Sequence, residues 1–117
     1  MDDSLAEPAI VVLTNLPDRE SAQRLAQALV GGRLAACVNV GVTVESIYHW
    51  RGQIETAIEV PVTIKTRAVL FSEVEAAIRR FHPYELPEIV AVPIVHGLPS
   101  YLDWIAAETR PLPLASV

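Results

Sequence analysis

Strict alternation of apolar and polar positions dominates the middle of the chain. Ala36, Val38, Val40, Val42 and Val44 are apolar at period two, with Cys37, Asn39, Gly41, Thr43 and Glu45 between them. That spacing predicts a long amphipathic strand. Ser46 to Trp50 extends it, and Arg51-Gly52 turns the chain. Ile54, Ile58, Val60, Val62 and Ile64 then repeat the pattern against Glu55, Glu59, Thr63 and Lys65. The two arms read as one long β-hairpin.

Helical spacing brackets this hairpin. The β-branched run Ile10 to Leu13 predicts a first strand, and Leu16-Pro17-Asp18 a turn. Asp18 suits an N-cap, and Glu20 adds negative charge to the first turn. Ala22, Leu25, Ala26, Leu29 and Val30 follow at helical intervals, with Gly31-Gly32 as the stop. Leu70, Val74, Ala77, Ile78 and Phe81 form a second helical face. Ser72 and Glu75 have capping-box spacing, and His82-Pro83 ends the helix. Ile89 to Val95 predicts a fourth strand. Pro93 points to an edge or a bulge there, and Pro61 raises the same point for the third strand. Ser100 to Glu108 predicts a short third helix.

The order is βαββαβ plus a terminal helix. With right-handed crossovers this gives an α+β ferredoxin-like sandwich: four antiparallel strands with two helices on one face. A single domain is expected over residues 9–108, with a loose leader at 1–8 and a Pro-containing tail at 109–117.

Lengths then become informative. Hairpin arms of roughly 14 residues reach about 45 Å, at about 3.3 Å per residue. A helix of roughly 14 residues covers only about 20 Å. The far end of the hairpin, with Val44, Tyr48, Trp50 and Ile54, therefore lacks cover. Exposed apolar surface costs about 25 cal/mol per Å², and monomers rarely leave large patches in water. A closed ring of identical subunits is the expected solution. The alternative is a bulge that folds the hairpin back onto its own helices.

Composition narrows the function. Of 117 residues, 51% are hydrophobic and 20% charged, as in a folded domain. The net charge of −5 argues against a nucleic-acid partner and an anionic membrane surface. No apolar run is long enough to span a bilayer. The acidic start Met-Asp-Asp-Ser does not read as a secretory signal, and Cys37 is the only cysteine. The single cysteine fits a reducing compartment.

His82 offers an imidazole for a transition metal or a proton; a helix-terminal histidine also serves simply as a cap. Cys37 offers a soft thiolate, although a lone cysteine among small residues is commonly just packed. These two cannot complete a four-ligand zinc site alone, so carboxylates such as Glu59, water or another subunit must add ligands. Lys65, Glu59 and Glu55 share the polar hairpin face and suit a cleft that holds an anionic or metal-bound ligand; the plain alternative is an exposed ion pair. Trp50, Tyr84, Tyr101 and Trp104 suit pocket walls or interface anchors. His49 and His96 lack metal-ligand spacing and read as structural or solvent-facing. No Gly-rich phosphate loop, nucleophile elbow or Ser-His-Asp pattern is present, so a non-enzymatic role is expected.

Five segments resemble the CutA divalent-cation tolerance family. They are Leu34-Ala35-Ala36-Cys37-Val38-Asn39, Ser46-Ile47-Tyr48-His49-Trp50-Arg51-Gly52, Ile64-Lys65-Thr66, His82-Pro83-Tyr84-Glu85-Leu86-Pro87-Glu88-Ile89, and Gly97 with Tyr101-Leu102-Asp103-Trp104. They keep the family's order and spacing over about residues 9–108. The resemblance implies a very stable homotrimer whose sheets meet through the long hairpins. It also implies a link to copper and other divalent-metal tolerance, a cytoplasmic location, and a trimer similar to PII signalling proteins, hence a second role as a small-molecule sensor. The expected metal ligands are His82, Cys37 and Glu59, of which the resemblance favours His82 and Glu59. Lys65, Trp50, Tyr84 and Glu55 are the expected ligand-binding residues, of which the resemblance favours Lys65. Copper or another divalent metal is the expected ligand, and none is required for folding. Two departures weigh against strong copper binding. Val40-Gly41-Val42-Thr43 stands where many members have an Ile-Pro-Gly turn. Phe81 precedes His82 where some members have a second histidine, and Cys37 stands alone where some have more cysteines.

Overall fold

The computed structural model describes residues 8–111. The elements are β1 (Ala9–Leu16), α1 (Arg19–Gly31), β2 (Cys37–Val40), β3 (Val44–Trp50), β4 (Gln53–Arg67), α2 (Phe71–Phe81), β5 (Val90–Pro93) and α3 (Pro99–Glu108). All pairings are antiparallel, in the order β2-β4-β1-β5, and β3 continues on the far half of β4. This is the expected ferredoxin-like sandwich, with one change. The predicted second strand is two strands, β2 and β3.

The break follows from Pro61. Asn15 pairs with it on one side, and on the other the Gly41 amide donates to the Pro61 carbonyl at 2.9 Å. The missing proline N–H therefore faces the segment 41–43. Proline is tolerated inside a sheet at such an irregularity. Val40 pairs with Val62, whereas Val44 pairs with Glu59, so three residues (41–43) oppose two (60 and 61). This is a β-bulge. Gly41 permits it, since a Cβ there would lie 3.0 Å from the Pro61 ring.

One extra residue reverses the faces beyond it. Val38 and Val40 share a face with Ile64 and Val62, the core side. Val44, Tyr48 and Trp50 instead share a face with Glu59, Glu55 and Gln53. Uniform period two across residues 36–50 thus predicts the wrong face for the outer half. The bulge does not fold the arm back, either. The long axis of the molecule is 53 Å, and Ile54 at the tip is 71% exposed.

The core lies between the inner sheet face and α1 and α2. Ile10, Val12 and Leu16 of β1 and Val60, Val62 and Ile64 of β4 meet Leu25, Leu29, Val74 and Ile78. Asp18 caps α1 by accepting from the Ser21 amide at 2.7 Å. Glycine does not supply the left-handed stop of α1. Arg33 does, with φ of 60°. Leu34 N donates to Leu29 O and Arg33 N to Val30 O. That is a Schellman motif closed by the buried Leu29 and Leu34. The Arg33 guanidinium donates to the Ala107 carbonyl at 2.8 Å, so the strained residue also anchors α3. The expected Ser72–Glu75 capping box is absent: α2 starts at Phe71 from a 3₁₀ turn, Ala68–Leu70, and no side chain caps it. β5, with Pro93, is an edge strand as expected.

The leader expected at 1–8 lies outside the described residues except for Pro8, whose carbonyl accepts from Ala68 N. Of the expected tail, Thr109 is buried and Arg110 bonds Gly32 O and Glu73, so the anchored chain extends past residue 108. Residues 112–117 lie outside the described part. No described helix is long and apolar enough to cross a membrane.

Candidate functional site

A cleft of about 720 Å³ opens where the hairpin leaves the body of the sheet. One wall is β3 with Glu59 of β4. The other is the segment after α2, from His82 to Glu88, and Asn15 closes the floor. Pro83 stops α2 and sends this segment across the end of β1.

His82 sits at the hinge, 7% exposed. Its Nε2 lies 2.5 Å from the Asn15 carbonyl, and its Nδ1 accepts from the Tyr84 amide at 3.2 Å. A carbonyl demands a donor and an amide demands an acceptor, so the ring is the neutral Nε2–H tautomer with both nitrogens engaged. In this arrangement His82 has no free lone pair for a metal. It orients Tyr84, whose ring centroid lies 4.6 Å away. Burial first, then the Glu59 charge and Tyr48, raise the Tyr84 phenol above its usual range. Tyr84 is therefore a neutral donor at the cleft wall.

The three cleft carboxylates differ. Glu88 accepts from Asn15 Nδ2 at 2.9 Å. Glu85 pairs with Arg51 at 3.4 Å. Glu59, only 8% exposed, has no hydrogen bond or ion pair among the described residues. Its stem is enclosed while its carboxylate lines the open cleft, where a cation can reach it.

At the rim, Arg51 and Gly52 form the hairpin turn with φ of 52° and 79°. Both residues are left-handed, as the tight hairpin turn requires. The turn lays the Arg51 guanidinium over the Trp50 ring, 5.2 Å from its centroid.

Four of the seven residues expected from the sequence line this cleft: His82, Glu59 and Tyr84, and at its far rim Trp50, which pairs with Gln53, six positions along β4 from Glu59. Three do not. Lys65 donates to Asn39 Oδ1, and Cys37 pairs directly with Lys65 across β2 and β4. Lys65 lies six positions along β4 from Glu59, about 20 Å of strand. His82, Cys37 and Glu59 therefore do not form one ligand set within a subunit. Among the described residues no group of three or more His, Cys, Asp or Glu side chains is placed to hold a metal. Glu55 lies four residues beyond Glu59, opposite Tyr48 and exposed. Asn15 and Glu88 are cleft residues that the pattern did not single out. Asn15 carried a signal, since it is the first polar residue on the outward parity of β1 after Val11 and Leu13.

The family model described as CutA1 divalent ion tolerance protein matches residues 10–108. This chain belongs to the CutA divalent-cation tolerance family. The Thermus thermophilus divalent-cation tolerance protein CutA is 42% identical over 85% of this chain and 96% of its own length. The chloroplastic protein CutA of Arabidopsis thaliana is 38% identical over 93% of this chain. This chain spans 60% of that plant relative's length. The crystal structure of CutA1 from Oryza sativa superposes with a TM-score of 0.86 at 38% identity, over 89% of this chain and 95% of that one.

The expected cytoplasmic location needs correction. The Arabidopsis and rice relatives are named chloroplastic, and the matching Archaeoglobus fulgidus structure is of a periplasmic protein. Family membership is compatible with several compartments, because charge and cysteine count do not encode an address.

Proposed function

We propose that the chain works as a homotrimer in divalent-cation tolerance, by taking a cation into the cleft at Glu59 and not by catalysis. The observation that carries this reading is the Glu59 carboxylate, which lines the cleft and has no hydrogen-bond or ion-pair partner among the described residues. The uncovered apolar surface supports assembly. Ile47, Ile54 and Ile58 are more than half exposed on one face of the arm. Val90 and Val92 are nearly half exposed on the sheet face away from the helices. A closed ring buries such surface without leaving it available for fibres.

A PII-like sensor of an anionic metabolite is less well supported. Such a ligand would meet three carboxylates and one guanidinium already paired, while Lys65 lies outside the cleft. A copper site built on His82 and Cys37 would need His82 to give up a hydrogen bond and Cys37 to come from another subunit.

Light scattering tests the assembly, with an expected mass three times that of one chain. Isothermal titration with Cu²⁺, Zn²⁺ and small amines tests the cleft. Heat that disappears in Glu59→Gln supports the reading. Heat unchanged by that substitution places the cation elsewhere and refutes it.

A further inference from the structure

We propose that the cation site of the cleft is built from two oxygens, the Glu59 carboxylate and Asn15 Oδ1, with Glu88 as the residue that turns Asn15 to serve it. Such a site takes a hard divalent ion of the Mn²⁺ or Mg²⁺ kind. This rests on the reading of the cleft as a cation site at Glu59.

Register brings the two oxygens together. Asn15 pairs directly with Pro61, and Glu59 lies two residues along β4 on the same face. Diagonal neighbours of this kind stand about 7–8 Å apart at the backbone, within reach of long side chains. Both residues line the cleft. Glu88 then fixes which end of the Asn15 amide is presented. Asn15 Nδ2 donates to Glu88 Oε1 at 2.9 Å. An ionised carboxylate only accepts, so the amide nitrogen must face Glu88 and Oδ1 must point away from it. Neither Oδ1 nor the Glu59 carboxylate accepts a hydrogen bond among the described residues.

The donor set decides the ion. His82 has both nitrogens engaged, and Cys37 lies level with Lys65, far along the sheet. Neither an imidazole nor a thiolate is therefore on offer. A carboxylate, an amide carbonyl and water are hard oxygen ligands, the set that suits Mg²⁺, Ca²⁺ and Mn²⁺. Two protein oxygens leave most of the shell to water, which Mg²⁺ gives up reluctantly. The open cleft leaves that water in place.

Calorimetric titration of the intact oligomer with Mn²⁺, Mg²⁺ and Cu²⁺ tests this. Glu59→Gln removes the charged ligand and should weaken Mn²⁺ binding about ten- to a hundredfold. Glu88→Leu frees the amide to turn and should weaken it about tenfold, as loss of an outer partner does. The deciding variant combines Asn15→Asp with Glu88→Gln. It keeps the net charge, and it keeps the hydrogen bond with donor and acceptor exchanged. A carboxylate then replaces the amide oxygen beside Glu59, and Mn²⁺ should bind about tenfold tighter than to wild type. If Asn15 only holds the segment 82–88 in place, the double variant binds Mn²⁺ no better than wild type, and the inference falls. A second measurement needs no variant. Mn²⁺ is paramagnetic and should broaden the Asn15 side-chain amide signal of wild type in the NMR spectrum; a signal that stays sharp at saturation also overturns the assignment. Cu²⁺ or amine binding that needs Glu59 but ignores Asn15 and Glu88 overturns it too, while leaving the cleft a cation site. If no ion's binding depends on Glu59, both readings fall.

Discussion

The two halves of β4 make a controlled comparison within one strand. From Glu59 to Arg67 the strand is buried at nearly every second residue or more, and Val62 and Ile64 are almost fully enclosed. From Gln53 to Ile58 it is exposed almost throughout, although Ile54 and Ile58 continue the same parity. The residue types match and the backbone is continuous. What differs is what lies across from each half. The inner half meets α1 and α2, while the outer half outruns them. Alternation therefore specifies a strand and its two faces. It does not specify which face finds cover.

The comparison yields tests in order of size. Ile64→Ala strikes the covered half and should cost about 2–5 kcal/mol, read by chemical denaturation. Gly41→Val strikes the joint. Its side chain would press on Pro61 and should cost about 1–3 kcal/mol, as overpacking does. If that variant is as stable as wild type, the bulge does not separate the halves as described. Ile54→Glu strikes the uncovered half. It should leave the circular dichroism of the subunit unchanged while reducing the mass seen by light scattering. A full loss of folded signal would show that the arm is part of the subunit's own core.

Two smaller effects belong to the body alone. Thr14 Oγ1 is buried without a partner among the described residues. Thr14→Val should therefore stabilise by about 1 kcal/mol, since an unsatisfied buried hydroxyl carries a penalty of that order. Asp18→Ala should give the smallest loss. The Ser21 amide and then the Ser21 hydroxyl hold the Asp18 carboxyl below its ordinary value. Its contribution is therefore present above the unfolded carboxyl's range, about pH 4. It fades as pH falls through the lower folded value. Wild type and Asp18→Ala should converge in melting temperature in acid and separate at neutral pH.

Most of the fold was legible because it depends on local pattern. The 3.6-residue spacing of Leu25 and Leu29, the Asp18 cap and the Arg51-Gly52 turn each act within a few residues. Pro93 at an edge follows from its missing N–H. The errors were non-local. The capping box at Ser72 failed because the 3₁₀ turn before α2 took over the helix entry. Arg33, not a glycine, is the left-handed stop, and its guanidinium reaches α3, more than seventy residues on. The bulge was hidden because Pro61 and Gly41 are twenty residues apart. Only their pairing shows that one forces the gap and the other fits it.

The candidate site divides in the same way. His82, Tyr84, Glu59 and Trp50 stood out as residue types, and the fold places them along one cleft, with Trp50 at its far rim. Cys37 and Lys65 looked equally suitable and lie about 20 Å of strand away. The amino-acid order determined that this chain makes strands and helices in a βαββαβ succession, with an arm too long for its helices. Those outcomes rest on sterics and apolar periodicity within short windows. Tertiary structure alone decided which face of the arm Trp50 and Tyr48 occupy, that both His82 nitrogens are spoken for, and that Glu59 is left without a counter-charge. The first depends on one extra residue in a cross-strand register and the others on contacts between segments distant in sequence, and each is a property of two segments at once.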